Sequence, residues 1–295
     1  MSIELQSFED FDSLEQIEAQ QANLIRVVLE GRDDVWLFAN QWFVAEQETF
    51  NFIEAKDLVA GAGCTGVERA VVHSRTNDGI PAIGIVDRDV LFRSGNWAVL
   101  YEKEIDSFIA ATYSDQVHIA SLWEIEAYLF DPDLLRKLVK ACSRKPPATQ
   151  EQMDAALGKT LAECALLLDI APFLAGSHVA GALVPIGYLG DQGARYVQES
   201  VANSIAGLVG PGSAAAAHVQ TLIDEIKANL PSGPIDQLAF YLRYIDTKRL
   251  LHRLTQTLGL TSNVKWTLAA FQEISRTRPQ ELAQVLENAK RRFAA

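Results

Sequence analysis

Three short apolar runs in the first third of the chain most constrain its fold, because stretches of helical periodicity separate them. The runs are LIRVVLEG (24–31), TFNFIEAKDLVAG (49–61) and IPAIGIVD (80–87). In the intervening segments 32–47 and 64–78, the residue pattern is typical of helices. Strands that alternate with helices need crossover connections, which give a parallel sheet covered on both faces. The segment NWAVLYEKE (96–104) is predicted to be a fourth strand.

The pattern changes at residue 131, where amphipathic helical segments replace the strands. Residues that favour helix starts in this part are Asp131, Thr149, Asp236 and Pro279. We expect a loop at 227–234 and a mobile, small-residue segment at 209–217. The sequence therefore predicts an α/β domain over residues 1–130, followed by an all-helical domain over residues 131–295.

Composition indicates an ordered protein of the cytoplasm. Hydrophobic residues make up 48% of the 295 positions, which is enough for a substantial core. Residues 1–20 are acidic and polar, unlike a signal peptide, and no apolar run approaches the length of a membrane span. The three scattered cysteines fit reduced thiols and disfavour a zinc ribbon or a disulfide scaffold. We therefore expect a cytoplasmic protein with no membrane segment.

The net charge of −12 limits how the chain can bind nucleic acid. Proteins that coat nucleic acid carry a basic face, because neutralising phosphates supplies most of their affinity. Here only RYIDTKRLLHRL (243–254) and NAKRRFAA (288–295) are locally basic. Contact with nucleic acid would therefore depend on a small site, on metal ions, or on dimerisation or a partner protein.

Acidic residues end two of the predicted strands. Glu30 closes the run RVVLE, and Asp87 and Asp89 follow the run GIV. In parallel α/β sheets, ligands bind beyond the carboxyl ends of the strands. Side chains two apart in extended backbone point the same way, so we expect Asp87 and Asp89 to face one side while Arg88 points away. Clustered carboxylates repel one another unless a cation joins them. The acids therefore predict a Mg²⁺ (or Mn²⁺) site suited to phosphodiester cleavage, with Glu30 as ligand or general base.

These residues resemble the TOPRIM signature, in which one strand ends in Glu-Gly and a later strand ends in Asp-x-Asp. The matching segments are VVLEGRDDV and GIVDRDV, and the resemblance covers roughly residues 24–130. The segment SLWEIEAYLFDPDLL (121–135) is similar to a Glu-rich helix that follows the Asp-x-Asp strand in TOPRIM nucleases of the overcoming-lysogenization-defect (OLD) type. The resemblance implies a Mg²⁺-dependent nuclease in which Glu126, or else Glu124, is a further metal ligand.

Within that family, the chain resembles the stand-alone effector subunits of PARIS-type bacterial anti-phage systems. It lacks the Cys/His zinc cluster of primases and the ATPase that OLD nucleases carry in the same chain. The resemblance implies a nuclease that is restrained by a partner ATPase and, once released, cleaves host transfer RNA; we expect it to act as a homodimer. The sequence leaves RNA and DNA open as substrates. Lys248 is a candidate for contacting phosphate, because cationic donors stabilise charge that develops in phosphoryl transfer.

Two alternatives remain open. The segment GAGCTG (61–66) matches the GxGxxG fingerprint of dinucleotide-binding folds, and Asp87 would then be the acid that binds ribose. The pairing of Asp87 with Asp89, and the acidic run VVLEGRDD upstream of the glycines, both disfavour this interpretation. In the second alternative the acids bind a structural ion, and the chain is a non-enzymatic adaptor that docks an ATPase.

Overall fold

The computed structural model describes residues 24–60, 63–190, 192–261 and 263–293, without the side chains of Pro234 and Ile235. Residues 1–20, whose sequence is unlike a signal peptide, lie outside the described residues. The described residues belong to two compact units. One contains the residues before Asp87, together with Ser114–His118 and the residues from Arg278 onward. The other contains Asp87–Tyr113 and Ile119–Thr277. Neither unit is a continuous stretch of chain.

A four-stranded sheet runs in the order β2-β1-β3-β4. Its strands are β1 (Ile25–Leu29), β2 (Phe50–Glu54), β3 (Ala82–Val86) and β4 (Val117–Ile119). β1 pairs in parallel with both β2 and β3, and Val27 lies opposite Phe52 on one side and Ile83 on the other. Every residue of β3 is buried, as expected for a strand covered on both faces. The predicted parallel sheet with helical crossovers is confirmed.

Helices pack against the strands of this sheet. They are α1 (Arg32–Trp36), which continues as a π-helix (Leu37–Trp42) and a 3₁₀-helix (Val44–Glu48), α2 (Gly63–Thr76), and the last helix of the chain, α14 (Gln280–Phe293). α2 approaches β3 closely at Gly84, where a Cβ atom would lie 2.5 Å from Val67 Cγ1 and 3.3 Å from Val71 Cγ2. Glycine in β3 therefore permits the contact between this strand and its crossover helix.

The prediction of a strand at 96–104 was wrong. This segment contains the short helix α4 (Trp97–Leu100), and the fourth strand is β4. The buried residues Trp97, Leu100 and Tyr101 are spaced three and four apart, so they share one face of a helical turn. Strand alternation would have placed Trp97 and Leu100 on opposite faces. β4 escaped prediction because its three residues are too few to show a period.

The second unit is almost entirely helical. Its helices are α3 (Asp89–Arg93), α4, α5 (Ile105–Thr112), a 3₁₀-helix (Ile125–Leu129), α6 (Pro132–Cys142), α7 (Gln150–Cys164), α8 (Leu166–Val179), α9 (Ala194–Ala206), α10 (Gly210–Lys227), α11 (Pro234–Tyr244), α12 (Thr247–Leu258) and α13 (Val264–Ser275). The helical region predicted after residue 131 is therefore present. The segment 209–217, predicted to be mobile, instead contains the start of α10, which buries Ala215 and Ala216.

Helix starts were predicted with mixed success. The Asp131 side chain accepts hydrogen bonds from the backbone N–H groups of Asp133 and Leu134, and Thr149 accepts one from Gln152. Asp236, by contrast, lies in the first turn of α11, whose N-cap is Gly233.

Among the described residues, one run (Gln150–Val179) is long and apolar enough to cross a membrane, and 67% of its apolar window is buried. Such burial is typical of a core helix in a soluble protein.

Candidate metal centre

Glu30 directly follows β1, and Asp87 directly follows β3, the neighbour of β1 in the sheet. Because the carboxyl ends of parallel strands meet at the same edge of a sheet, these acids are brought together, and Asp89 follows two residues later. One carboxylate oxygen from each of the three lies within 4.8 Å of the others, and all three side chains are half-buried. The predicted acidic cluster is therefore present, while the ion that it binds remains a prediction.

The backbone between the two aspartates differs from the expected extended strand. Arg88 has helical torsion angles (φ −63°, ψ −23°), and Asp89 is the first residue of α3. The N–H of Val90 donates to the carbonyl of Asp87 at 3.3 Å, and that of Leu91 to the carbonyl of Arg88 at 3.0 Å. The aspartates therefore converge through a helical turn, because β3 ends with its apolar run at Val86 and the backbone is already helical at Arg88.

Residues on either side of the cluster fix its backbone. Gly31 donates its N–H to the buried side chain of Asp34 at 3.1 Å, which holds the turn after β1. The N–H of Ile125 donates to Asp87 Oδ1 at 2.8 Å, and the N–H of Asp89 donates to the carbonyl of Trp123 at 3.3 Å. Sequence reasoning missed Asp34, although an acid at the third position of a helix is a recognisable capping signal.

Burial and neighbouring charges both act on the carboxylate of Asp89. Burial raises the pKa of its carboxyl group, and the nearby Arg93 and Lys248 partly oppose this effect. Oδ2 accepts a hydrogen bond from Arg93, four residues further along α3. Oδ1 is buried and has no hydrogen-bond partner, which leaves an acceptor oxygen available to a cation. Arg93 was not predicted, although acid–base pairs four residues apart are common on helices.

Lys248 forms an ion pair with the buried Glu124, whose exposed fraction is 3%. Burial raises the pKa of Glu124 to about 8, an effect that Lys248 opposes. Burial lowers the pKa of Lys248, but the combined attraction of Glu124, Glu126 and Asp87 outweighs burial, so the net shift is upward. Asp87 also contributes to the electrostatic environment of Lys248. The ammonium group of Lys248, which we predicted to contact phosphate, therefore interacts electrostatically with Asp87 and Asp89.

Glu126 lies outside the cluster formed by Glu30 and the two aspartates, among the residues that the structure describes. Its carboxylate accepts a hydrogen bond from Lys265 Nζ at 2.9 Å. The role of Glu126 as a further metal ligand remains a prediction. To bind the ion, Glu126 would have to leave Lys265 or share its carboxylate oxygens between Lys265 and the ion.

The glycine-rich segment lies at the start of α2. Gly61 and Ala62 are outside the described residues, and Gly63 has a positive φ of 70°. A 3₁₀-helix (Ala55–Asp57) separates β2 from this segment, whereas a dinucleotide fingerprint joins its strand and helix directly. The dinucleotide hypothesis remains open, but its loop geometry differs from that template.

Chemically, three carboxylates within reach of one another can hold a hard divalent cation. Comparison with protein-family models, with curated proteins and with solved structures found no match. Any functional assignment therefore depends on the geometry of this site.

Proposed function

We propose that the chain is a Mg²⁺-dependent nuclease of the TOPRIM type, in which Glu30, Asp87 and Asp89 hold the metal ion. The observation that carries this proposal is the convergence of the three carboxylates at the ends of two neighbouring parallel strands, within 4.8 Å of one another. The resemblance of VVLEGRDDV and GIVDRDV, which contain these three acids, to the TOPRIM signature also supports it.

The donor set fits a small, hard cation. Opposite ligands of an octahedral Mg²⁺ ion are about 4.2 Å apart. Neighbouring ligands are about 3 Å apart, and three ligands include at most one opposite pair, so three oxygens that lie within 4.8 Å of one another would draw closer together on binding one ion. The buried, unpartnered Oδ1 of Asp89 supports the same conclusion, because an orphaned carboxylate oxygen is unfavourable unless a cation or a proton satisfies it.

When bound, such an ion polarises a phosphoryl oxygen and lowers the pKa of a bound water molecule. The protein's own contribution would be to orient the substrate and to supply charge. Lys248, with 54% of its side chain exposed, would donate to a phosphate oxygen and stabilise the charge that develops there. Glu30 would act as a ligand or as the general base that accepts a proton from the attacking water.

The proposal extends to the biological setting that the family resemblance implies. The nuclease would be the effector of an anti-phage system, would cleave host transfer RNA, other RNA or DNA, and would be restrained by an ATPase partner. The net charge of −12 supports dependence on a second subunit, because one acidic chain attracts nucleic acid poorly. A homodimer or a partner surface would complete the substrate groove.

Cleavage assays test this proposal directly. Purified protein is incubated with labelled transfer RNA, other RNA and DNA, with Mg²⁺, Mn²⁺ or EDTA. We expect metal-dependent cleavage that Glu30→Ala abolishes without changing the melting temperature, because a half-exposed strand-end acid contributes little packing energy. Glu68→Gln, on the exposed face of α2, is the matched control and should cleave normally. In cells, expression should slow growth only when Glu30 is present.

Two contacts favour a second candidate, the non-enzymatic adaptor with a structural ion. Asp87 already accepts from the N–H of Ile125, and Asp89 already pairs with Arg93, as in a hydrogen-bonded structural pocket. Wild-type protein that binds Mn²⁺ but cleaves neither RNA nor DNA, alone or with an ATPase partner, would support this adaptor and exclude the nuclease.

A further inference from the structure

Arg88, which separates the two aspartates, is completely buried. Its Nε atom donates to the carbonyl of Leu100 at 3.0 Å, and Nη2 donates to the same oxygen. Nη1 donates to the carbonyl of Ser121 at 2.7 Å. The guanidinium carbon lies 4.1 Å from the ring centre of Phe108 and 5.5 Å from that of Tyr244. A charged side chain is thus anchored to two backbone segments between two acidic residues.

The residues on both sides of Arg88 bind the same segment that Arg88 binds. Asp87 accepts from the N–H of Ile125, Asp89 donates its N–H to Trp123, and Arg88 donates to Ser121. Three consecutive residues are therefore joined to alternate positions of the segment 121–125. The N–H of Trp123 donates in turn to the carbonyl of Leu242 at 2.9 Å, which ties the segment to α11.

Burying a guanidinium group is expensive, so such a residue needs specific partners. Two carbonyl oxygens and an aromatic face supply them here. The planar fork of arginine can reach both carbonyls in one fixed orientation, whereas the single ammonium group of lysine cannot reproduce this geometry. A residue that only filled space at this position would not need to be an arginine, because an unbranched apolar side chain has a similar shape.

We propose that Arg88 is a positioning residue, which locks the turn between Asp87 and Asp89 onto the segment 121–125 and so sets the geometry of the two carboxylates. The proposal deepens the proposed function, because it identifies what preorganises the metal ligands. Its structural part concerns the protein alone and does not require bound metal.

The test compares Arg88→Lys and Arg88→Met with Arg243→Met. Arg243 is a matched control, because its guanidinium also lies over Phe108 and Tyr244 and also donates to backbone carbonyls, those of Glu102 and Lys103. Hydrogen exchange in metal-free protein measures protection of the Ile125 and Asp89 amides. Titration calorimetry with Mn²⁺ measures affinity. We expect both Arg88 variants to lose amide protection and to bind Mn²⁺ about 10-fold more weakly, while Arg243→Met keeps both properties at a similar melting temperature.

The two readouts separate the possible failures. Protection of Ile125 and Asp89 that remains at the wild-type level in Arg88→Lys would overturn the positioning role, whatever the metal result. Wild-type protein that shows no Mn²⁺ binding would refute the metal site of the proposed function, while lost protection in the Arg88 variants would still support the positioning role. If Arg88→Met does not fold, Arg88→Lys, which keeps the charge, decides the question.

Discussion

Among the described residues, two segments have one buried residue between two acids, and the acids of the two segments have different partners. In the first, Asp87 and Asp89 flank Arg88 and meet a third carboxylate, that of Glu30. In the second, Glu124 and Glu126 flank Ile125, and each meets a lysine, Lys248 or Lys265. Each acid of the second pair therefore meets a lysine of the protein, whereas the first pair, in which Asp89 also meets Arg93, belongs to a cluster of three carboxylates that an external cation would stabilise. Spacing alone does not distinguish these two roles.

The largest expected effect separates these segments by their response to a divalent cation. A ligand that binds only the folded state stabilises it by roughly 2.7 kcal/mol at a hundredfold excess over its dissociation constant. We expect Mn²⁺ or Mg²⁺ to stabilise the wild-type protein in this way, and Asp87→Asn and Asp89→Asn to lose most of that gain because each removes an anionic ligand. Thermal unfolding of the wild-type protein and of both variants, with and without metal, measures this stabilisation.

Glu126→Gln is the matched control for this experiment and should keep the full metal response. A response lost in Glu126→Gln as well would make Glu126 a ligand, as the family resemblance implies, and would remove the contrast between the segments. In metal-free buffer, Asp89→Asn should be no less stable than wild type, since burial already raises the pKa of Asp89. If both Asp→Asn variants lose stability without metal, the cluster is a structural hydrogen-bonded pocket.

A smaller effect is expected in the second segment, as a dependence of stability on pH. Burial raises the pKa of Glu124 to about 8 from the model-peptide value of 4.5, so the folded state holds this proton more tightly than the unfolded state. Stability from this group is therefore complete below about pH 4.5 and is lost as the pH rises through about 8. Glu124→Gln cannot titrate and should flatten this decline, which amounts to several kcal/mol across the window because each pKa unit corresponds to about 1.4 kcal/mol.

Denaturant unfolding between pH 4.5 and pH 9 measures this decline, with Glu126→Gln as the comparison. The raised pKa of Lys248 does not add to the decline, because Lys248 remains protonated throughout this range. Equal pH slopes in wild type and Glu124→Gln would show that Glu124 stays ionised beside Lys248, and the second segment would then be a simple ion pair.

The sequence predicted the first segment better than the second for a physical reason. Glu30, Asp87 and Asp89 lie at the ends of apolar runs, so local pattern and the geometry of parallel strands were enough to bring them together. Lys265 lies 139 residues from Glu126 in the chain, and no local pattern could reveal that pairing. The same limit applies to Arg88, whose partners lie 12 and 33 residues away. Long-range contacts of this kind therefore decide which lysine meets Glu126 and which carbonyls hold Arg88.

The last prediction is that no dinucleotide binds to the glycine-rich segment. It tests whether Asp87 belongs to a dinucleotide site and not to a metal site. If GAGCTG bound a dinucleotide, Asp87 would contact ribose, and the contrast between the two acidic segments would lose its meaning. We expect no thermal shift with NAD or NADP at millimolar concentration, because a short 3₁₀-helix interrupts the strand–glycine–helix connection and Asp87 already accepts from Ile125. Gly63→Val is the control for any shift that is seen, since Gly63 has a positive φ that valine tolerates poorly. A reproducible shift of several degrees that Gly63→Val removes would establish the dinucleotide site and displace the nuclease proposal, whereas a shift that survives the substitution would place the nucleotide elsewhere on the chain.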